Sequence, residues 1–124
     1  MSIKELLDKI IFQPETLLFN DVIGTIDDRY DYSPVAFSNG LGEGALVNAA
    51  GVNEGSCKVF AFALLNELSE QQTLNCFAEH YRDVLADPHG SSHANIRRFM
   101  QDGWPGVRFE SPPLKPKKSA ASGV

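Results

Sequence analysis

Cys57 lies at a position where a cysteine thiol is expected to be a good nucleophile. Cys57 follows a stretch rich in Gly and Asn and opens an apolar segment, which places it in the first turn of a helix. The positive end of a helix dipole stabilises a thiolate and makes it a better nucleophile. His80 or His93 could then act as the base, with Asn95 orienting the imidazole, as in Cys–His–Asn hydrolases. The alternative, and the commoner case, is a buried cysteine that packs as a small hydrophobic residue.

The residues that lead into this helix favour an anion. Free N–H groups and the dipole at a helix start attract negative charge. Gly51 and Gly55 allow the backbone to approach a ligand closely, and Lys58 adds positive charge. The order of residues is not that of a P-loop, in which Lys directly follows Gly and precedes Ser or Thr. Ordinary helix capping by Gly and Asn is the simpler interpretation of the same pattern.

Polar side chains near this loop complete a predicted ligand site. Asn side chains recur within it, and Arg97 could hold a carboxylate or phosphate through two hydrogen bonds, or instead pair with an acidic side chain. The predicted ligand-binding residues are Asn39, Asn48, Asn53, Ser56, Lys58, Asn95 and Arg97.

The spacing of cysteine and histidine does not indicate a metal site. Cys76 and His80 are four residues apart on one predicted helix, and His89 and His93 are also four apart. However, neither a CxxC pair nor an HExxH motif occurs. We therefore expect no metal and no other cofactor.

The charge distribution bears on the class of partner. All 16 acidic residues precede position 111, whereas three of the 11 Lys and Arg residues follow it, so residues 1–110 carry a formal charge of −8. Such a surface repels a phosphate backbone, which argues against nucleic-acid binding. No apolar run approaches the ~18 residues of a membrane span. With only two cysteines, the composition favours a reducing, cytoplasmic location.

Helical periodicity dominates the chain and predicts a mainly α fold, α+β at most. We expect about five helices packed around a buried central helix at 56–68, which is apolar on almost every face. Capping boxes at Ser2 and Ser69 begin the first and fourth helices, a second helix covers 14–30, and a short one follows 91–92. The Gly-rich stretch 31–56 is predicted to be a long functional loop.

A small sheet and a tail complete the predicted organisation. Short strands are expected at 35–38 and 107–110, with a contribution from the Gly-rich stretch. Residues 1–110 are predicted to form one globular domain. Residues 111–124, rich in Pro, Lys, Ser and Ala, are predicted to form a flexible basic tail that is dispensable for stability.

Several stretches together resemble the HopJ family, small proteins named after a secreted effector of a plant pathogen. They are Tyr-Asp-Tyr-Ser-Pro at 30–34, Phe-Ser-Asn-Gly at 37–40, Asn-Ala-Ala-Gly-Val-Asn-Glu-Gly-Ser-Cys-Lys at 48–58, His-Tyr-Arg-Asp-Val-Leu at 80–85 and His-Ala-Asn-Ile-Arg at 93–97, together with Gly103 and Trp104. The resemblance extends over about residues 12–110 and implies a bacterial virulence protein exported by type III secretion into a host cell. It implies no assigned reaction and therefore no catalytic residue.

Two functional hypotheses remain open at this point. The first is a HopJ-like binding module that holds a small anionic or amide ligand at the 39–58 loop and the following helix start, with a small molecule or a host protein as the partner. The alternative is a small cysteine-dependent hydrolase or transferase, with Cys57 as nucleophile and His80 or His93 as base.

Overall fold

Helices dominate the computed structural model, which describes residues 1–117. Of these residues, 53% are helical and 13% lie in strands, so the predicted mainly α fold with a small sheet is confirmed. The helices are α1 (Ile3–Phe12), α2 (Phe19–Arg29), α3 (Glu54–Leu65), α4 (Glu70–Asn75), α5 (Glu79–Ala86) and α6 (Ala94–Asp102). The strands are β1 (Tyr30–Tyr32), β2 (Phe37–Asn39), β3 (Leu46–Asn48), β4 (Val107–Phe109) and β5 (Leu114–Pro116).

Helix α3 forms the centre of the molecule, as its apolar sequence predicts. Val59, Phe60, Phe62 and Ala63 are fully buried. The Phe60 ring meets aromatic rings from four other parts of the chain. Because other elements enclose the middle of this helix, it needs no polar face there, and only its ends, at Glu54 and at Leu64 and Leu65, are exposed.

The single helix predicted after Ser69 is instead two helices. Helix α4 ends at Asn75, and α5 begins at Glu79 with a new direction. Between them Ala78 adopts φ 54° and ψ −125°, a backbone conformation that costs on the order of 1–3 kcal/mol for a residue with a side chain. Buried Phe77 holds this junction against Phe60. Because Ala and Phe carry no helix-stop signal, the break is set by packing.

A three-stranded antiparallel sheet covers one side of α3 and α6. The strand order is β3-β2-β4, with Phe37 opposite both Asn48 and Phe109. Gly106 lies against the backbone of Gly40 and accepts a hydrogen bond from its N–H at 3.0 Å. The two short strands predicted from the sequence, and the third from the Gly-rich stretch, are therefore present.

The chain beyond residue 110 differs from the predicted flexible tail. Strand β5 pairs with β1, placing Leu114 opposite Tyr32, and Leu114 is only 3% exposed. One apolar side chain and an open strand edge were enough to bring this segment onto the fold. The rest of the predicted tail, 118–124, lies outside the described residues.

Within residues 1–117, no helix has the length and apolar character needed to cross a membrane.

Candidate functional site

A pocket opens where three helices begin. The N-terminal ends of α3, α5 and α6 meet around a cavity of about 250 Å³. Its lining residues are Phe19, Asn53, Gly55, Ser56, Phe77, His80, His93, Ala94, Asn95 and Ile96. The pocket therefore contains both predicted histidine bases and three of the predicted ligand residues, Asn53, Ser56 and Asn95.

Two of these helix starts leave their backbone donors open. The residues that precede α3 and α6, Asn53 and His93, both adopt the left-handed conformation, with φ 53° and 54°. Neither residue caps its helix with a side-chain hydrogen bond. Within residues 1–117, the N–H groups of 54–56 and 94–96 have no hydrogen-bond acceptor. Unsatisfied first-turn donors give each helix start a partial positive charge that faces the pocket.

The two imidazoles lie side by side at the pocket. The ring centroids of His80 and His93 are 4.9 Å apart. The Phe19 ring meets His80 edge-on at 4.7 Å and stacks with Phe77 at 6.2 Å, so it forms an apolar wall. On the outer side, Nε2 of His93 is 3.8 Å from a carboxylate oxygen of Asp83.

Buried asparagines set the positions of the pocket walls. Oδ1 of Asn48 accepts hydrogen bonds from Asn53 at 2.7 Å and from Asn95 at 3.0 Å. Oδ1 of Asn95 in turn accepts from Nδ2 of Asn39 at 3.1 Å. Asn39 is fully buried and its own Oδ1 has no protein partner among the described residues. Asn39 and Asn48, both predicted as ligand residues, thus lie behind the pocket and hold the residues that line it.

A carboxylate fixes the apolar wall in place. Glu79, the first residue of α5, accepts a hydrogen bond from the N–H of Phe19. Partial burial is the largest single influence and raises the pKa of this carboxyl. The backbone hydrogen bonds from Phe19 and from Glu79 itself, together with the nearby His80 and Arg82 side chains, oppose it, and the pKa is lowered overall. Glu79 therefore remains ionised at neutral pH and ties the start of α2 to the start of α5.

Cys57 lies in a different environment from the histidines. It is 1% exposed and does not line the pocket. Burial raises the pKa of its thiol; the Tyr32 hydroxyl and Lys58 partly oppose this change, while the Glu54 carboxylate adds to it. The structure therefore brings His80 and His93 together but places Cys57 outside their pocket.

The two predicted cationic ligand residues are also engaged elsewhere. Nζ of Lys58 forms an ion pair with Asp27 at 2.8 Å and lies 4.8 Å from the centre of the Tyr32 ring. The Arg97 guanidinium donates to the backbone oxygens of Ser92 and Asp87 and lies on a neighbouring cleft.

Sequence reasoning missed Phe19, Phe77 and Asp83 as parts of this region. The two Phe residues look like ordinary core positions in the sequence, and only the contact of the start of α2 with the junction before α5 makes them a pocket wall. Asp83 did carry a signal: it follows His80 by three residues on a helix, so both side chains lie on one face.

Comparison with known proteins agrees with the resemblance seen in the sequence. The model of the family described as HopJ type III effector protein matches residues 3–114. The crystal structure of VPA0580, described as a protein of unknown function, is similar, with a TM-score of 0.88 and 44% sequence identity over 94% of this chain and 95% of that one. No curated protein matches the chain. Since the family match extends over nearly the whole fold, including both histidines and the Asn-rich loop, the chain belongs to the HopJ type III effector family.

Proposed function

We propose that this HopJ protein is a binding module whose pocket holds a small anionic ligand. The observation that carries the proposal is the meeting of two uncapped helix starts, those of α3 and α6, at one cavity. Open first-turn N–H groups at one helix start already favour binding of a carboxylate or phosphate. Here the starts of two helices line the same pocket, so both favour an anion at that position.

The remaining walls suit a ligand with an anionic head and a small apolar part. Phe19 and Phe77 supply apolar surface, and the His80 and His93 rings supply donors beside the helix starts. A volume of about 250 Å³ is small for a ligand pocket, so we propose a small molecule rather than a folded host protein as the ligand.

Two larger clefts give less support for a binding function. The cleft beside Leu85 and Met100 contains Arg97, but that guanidinium is already bonded to backbone oxygens. The cleft formed by Leu64, Leu65 and the segment before β5 is mainly apolar. Neither contains open donors that converge, as the pocket between α3 and α6 does.

The cysteine-dependent alternative has weaker support in the geometry. A nucleophile and its base must lie within hydrogen-bond reach, and Cys57 lies outside the pocket that contains His80 and His93. A thiol whose pKa is raised by burial is also a poor nucleophile near neutral pH. A proposal of export into a host cell rests on the family description alone.

The proposal is tested by titrating metal-stripped protein with inorganic phosphate and acetate while following backbone amide signals. We expect saturable shifts at Gly55, Ser56, Asn95 and Ile96. Acetamide, which has the shape of acetate without its charge, distinguishes the anion from an amide ligand. Shifts elsewhere only, or equal affinity for acetamide and acetate, would contradict an anion site.

A matched pair of variants adds one negative charge to two different helix starts. Ser56→Asp places a carboxylate in the first turn of α3 inside the pocket. Gln71→Asp places one in the first turn of α4, at an exposed position outside the pocket. Both substitutions suit the helix dipole and should preserve folding. Phosphate affinity should fall at least about tenfold in Ser56→Asp, because its carboxylate takes the place of the ligand, and should be unchanged in Gln71→Asp.

A further inference from the structure

Two imidazoles and a carboxylate come together at the mouth of the pocket. His80, Asp83 and His93 each offer one ligand atom, and these atoms all lie within 4.8 Å of one another. His80 and Asp83 are three residues apart on α5, so they share a face of that helix. His93 comes from the start of α6, which packs against α5. The three residues therefore converge from two rigid elements.

From this convergence we infer that His80, His93 and Asp83 bind a divalent transition-metal ion. Imidazole suits zinc, copper, iron and nickel, whereas magnesium and calcium prefer all-oxygen sites. Two imidazoles and one carboxylate form a common three-residue ligand set, and the fourth position is then free for water or a ligand. Since both imidazoles line the pocket, that free position lies next to the two open helix starts.

Only side-chain adjustment is needed to reach metal geometry. Ligand atoms on a tetrahedral zinc ion with bonds of about 2.0–2.1 Å lie about 3.4 Å apart. Nε2 of His93 and a carboxylate oxygen of Asp83 are already 3.8 Å apart, and no pair in the group exceeds 4.8 Å. The Asp83 side chain is 66% exposed and can rotate freely, so the backbone can stay where it is.

Ordinary packing accounts for only part of this arrangement. The contact between His93 and Asp83 could be a simple surface ion pair, but it leaves out His80. Within residues 1–117, the ring nitrogens of His80 and His93 form no hydrogen bond to any protein group. Two neighbouring imidazoles whose ring nitrogens are not held by hydrogen bonds to protein are well placed to coordinate an ion. Spacing along the chain does not show this, because residues 80 and 93 belong to different helices.

The metal site goes beyond the anion-binding proposal and does not rest on it. Metal binding is measured by calorimetric titration of the full chain with zinc chloride, in a buffer free of phosphate and other oxyanions. We expect one zinc ion per chain, with a dissociation constant below about 10 μM. Cobalt(II) serves as a second probe, since four-coordinate cobalt in a protein site has visible absorption bands far more intense than those of aqueous cobalt.

Single substitutions identify the ligands. His80→Ala, His93→Ala and Asp83→Ala should each weaken zinc binding at least about tenfold. His89→Ala is the matched control, because His89 is exposed and lies outside the group. Metal-free melting temperatures check that each variant folds, and His80→Gln or Asp83→Asn replaces any variant that does not.

The outcomes separate the two proposals. Zinc binding that is lost in the three variants and retained in His89→Ala supports the site, whatever the phosphate titration shows. A wild-type dissociation constant above about 100 μM, or an equal loss in His89→Ala, overturns it. The phosphate titration uses metal-stripped protein, so its failure concerns only the helix starts.

Discussion

At the scale of single residues, the buried asparagines explain why the pocket keeps its shape. The Oδ1 atom of Asn48 accepts from two side chains that line the pocket, Asn53 and Asn95, while Asn48 itself is 4% exposed. Such a buried amide stabilises the fold mainly by accepting hydrogen bonds from its partners. Without it, a buried donor would lose its hydrogen bonds to water and gain none from protein, which costs free energy.

Replacing Asn48 should therefore lower the free energy of unfolding by more than the loss of its few side-chain atoms suggests. Asn48→Ala leaves the Nδ2 groups of Asn53 and Asn95 without their acceptor, and we expect a loss of about 2–3 kcal/mol in the free energy of unfolding. Urea denaturation measures it, with exposed Asn20→Ala as the control, for which the change should stay within about 0.5 kcal/mol. A similar, small loss in both variants would mean that the amide network contributes little.

The reactivity of Cys57 is the second test at this scale. Because burial raises the pKa of its thiol, we expect iodoacetamide to label it more slowly than free cysteine at pH 7. The measurement uses Cys76→Ser protein to remove the background, and His80→Ala should leave the rate unchanged. Fast labelling at pH 6 that disappears in His80→Ala or His93→Ala would instead support the cysteine-dependent alternative.

Cys76 allows a test of pH dependence. Burial raises the pKa of this thiol from 9.0 to about 12, so the unfolded chain loses its proton first as the pH rises. The stability associated with the neutral buried thiol is complete below the unfolded pKa of 9.0 and falls by up to about 1.4 kcal/mol per pH unit above it. Urea unfolding between pH 8 and pH 11 measures the slope, which should be smaller by about this amount in Cys76→Ala. Identical slopes would contradict the burial argument.

At the scale of elements, the close approach of two backbones sets the end of the sheet. A Cβ atom at Gly106 would lie 2.8 Å from the backbone nitrogen of Gly40, a distance that needs the chain itself to move. Gly24, in the middle of α2, has no atom within 4 Å of the same added group. The two glycines therefore differ only in what tertiary structure places beside them.

Alanine should act in opposite directions at these two glycines. Gly106→Ala should lower the free energy of unfolding by about 2 kcal/mol or more, since overpacking forces the Gly40 backbone away. Gly24→Ala should raise it by about 0.5–1 kcal/mol, because alanine restricts the unfolded chain and suits a helix. Thermal unfolding of both variants measures the contrast, and a gain in stability at Gly106 would contradict the close approach.

At the scale of the whole molecule, β5 joins the end of the described chain to its first half. Leu114 is buried, and the N–H of Lys117 donates to the backbone oxygen of Arg29 at 3.0 Å. The segment therefore closes the β1 edge and covers part of α3 instead of extending as a tail.

Truncation should reveal this closure. A chain that ends at Ser111 should lose about 2 kcal/mol or more in the free energy of unfolding relative to a chain that ends at Lys117, since burying one Leu side chain alone contributes about 1.5–3 kcal/mol. The full chain and the chain that ends at Lys117 provide the comparison for residues 118–124. A difference below about 1 kcal/mol between the two truncated chains would restore the prediction of a dispensable tail.

The sequence by itself determined the class of fold, the central helix, the small sheet and the family. Each of these depends on local properties: the periodicity of apolar residues, the capping residues, and runs of family-typical sequence. The position of α3 at the centre follows from its lack of a polar face. The sequence also predicts Asn95 and Ser56 as ligand residues; both line the pocket, and their binding of a ligand stays a prediction. All of the stretches that carry the HopJ resemblance lie within the residues that the family model matches.

Only the tertiary structure decided which of the candidate residues meet. His80 and His93 become neighbours because the strained turn at Ala78 starts a new helix and α6 begins beside it, and no local pattern encodes that turn. Cys57 is buried against the Tyr32 hydroxyl, on a side of α3 that does not line the pocket of the two imidazoles. A single apolar residue, Leu114, does not predict a strand from the sequence. The segment forms β5 because the edge of β1 offers backbone groups with which it can pair. In each case the deciding contact joins residues far apart in the chain, so it depends on how whole elements pack rather than on what any one segment prefers.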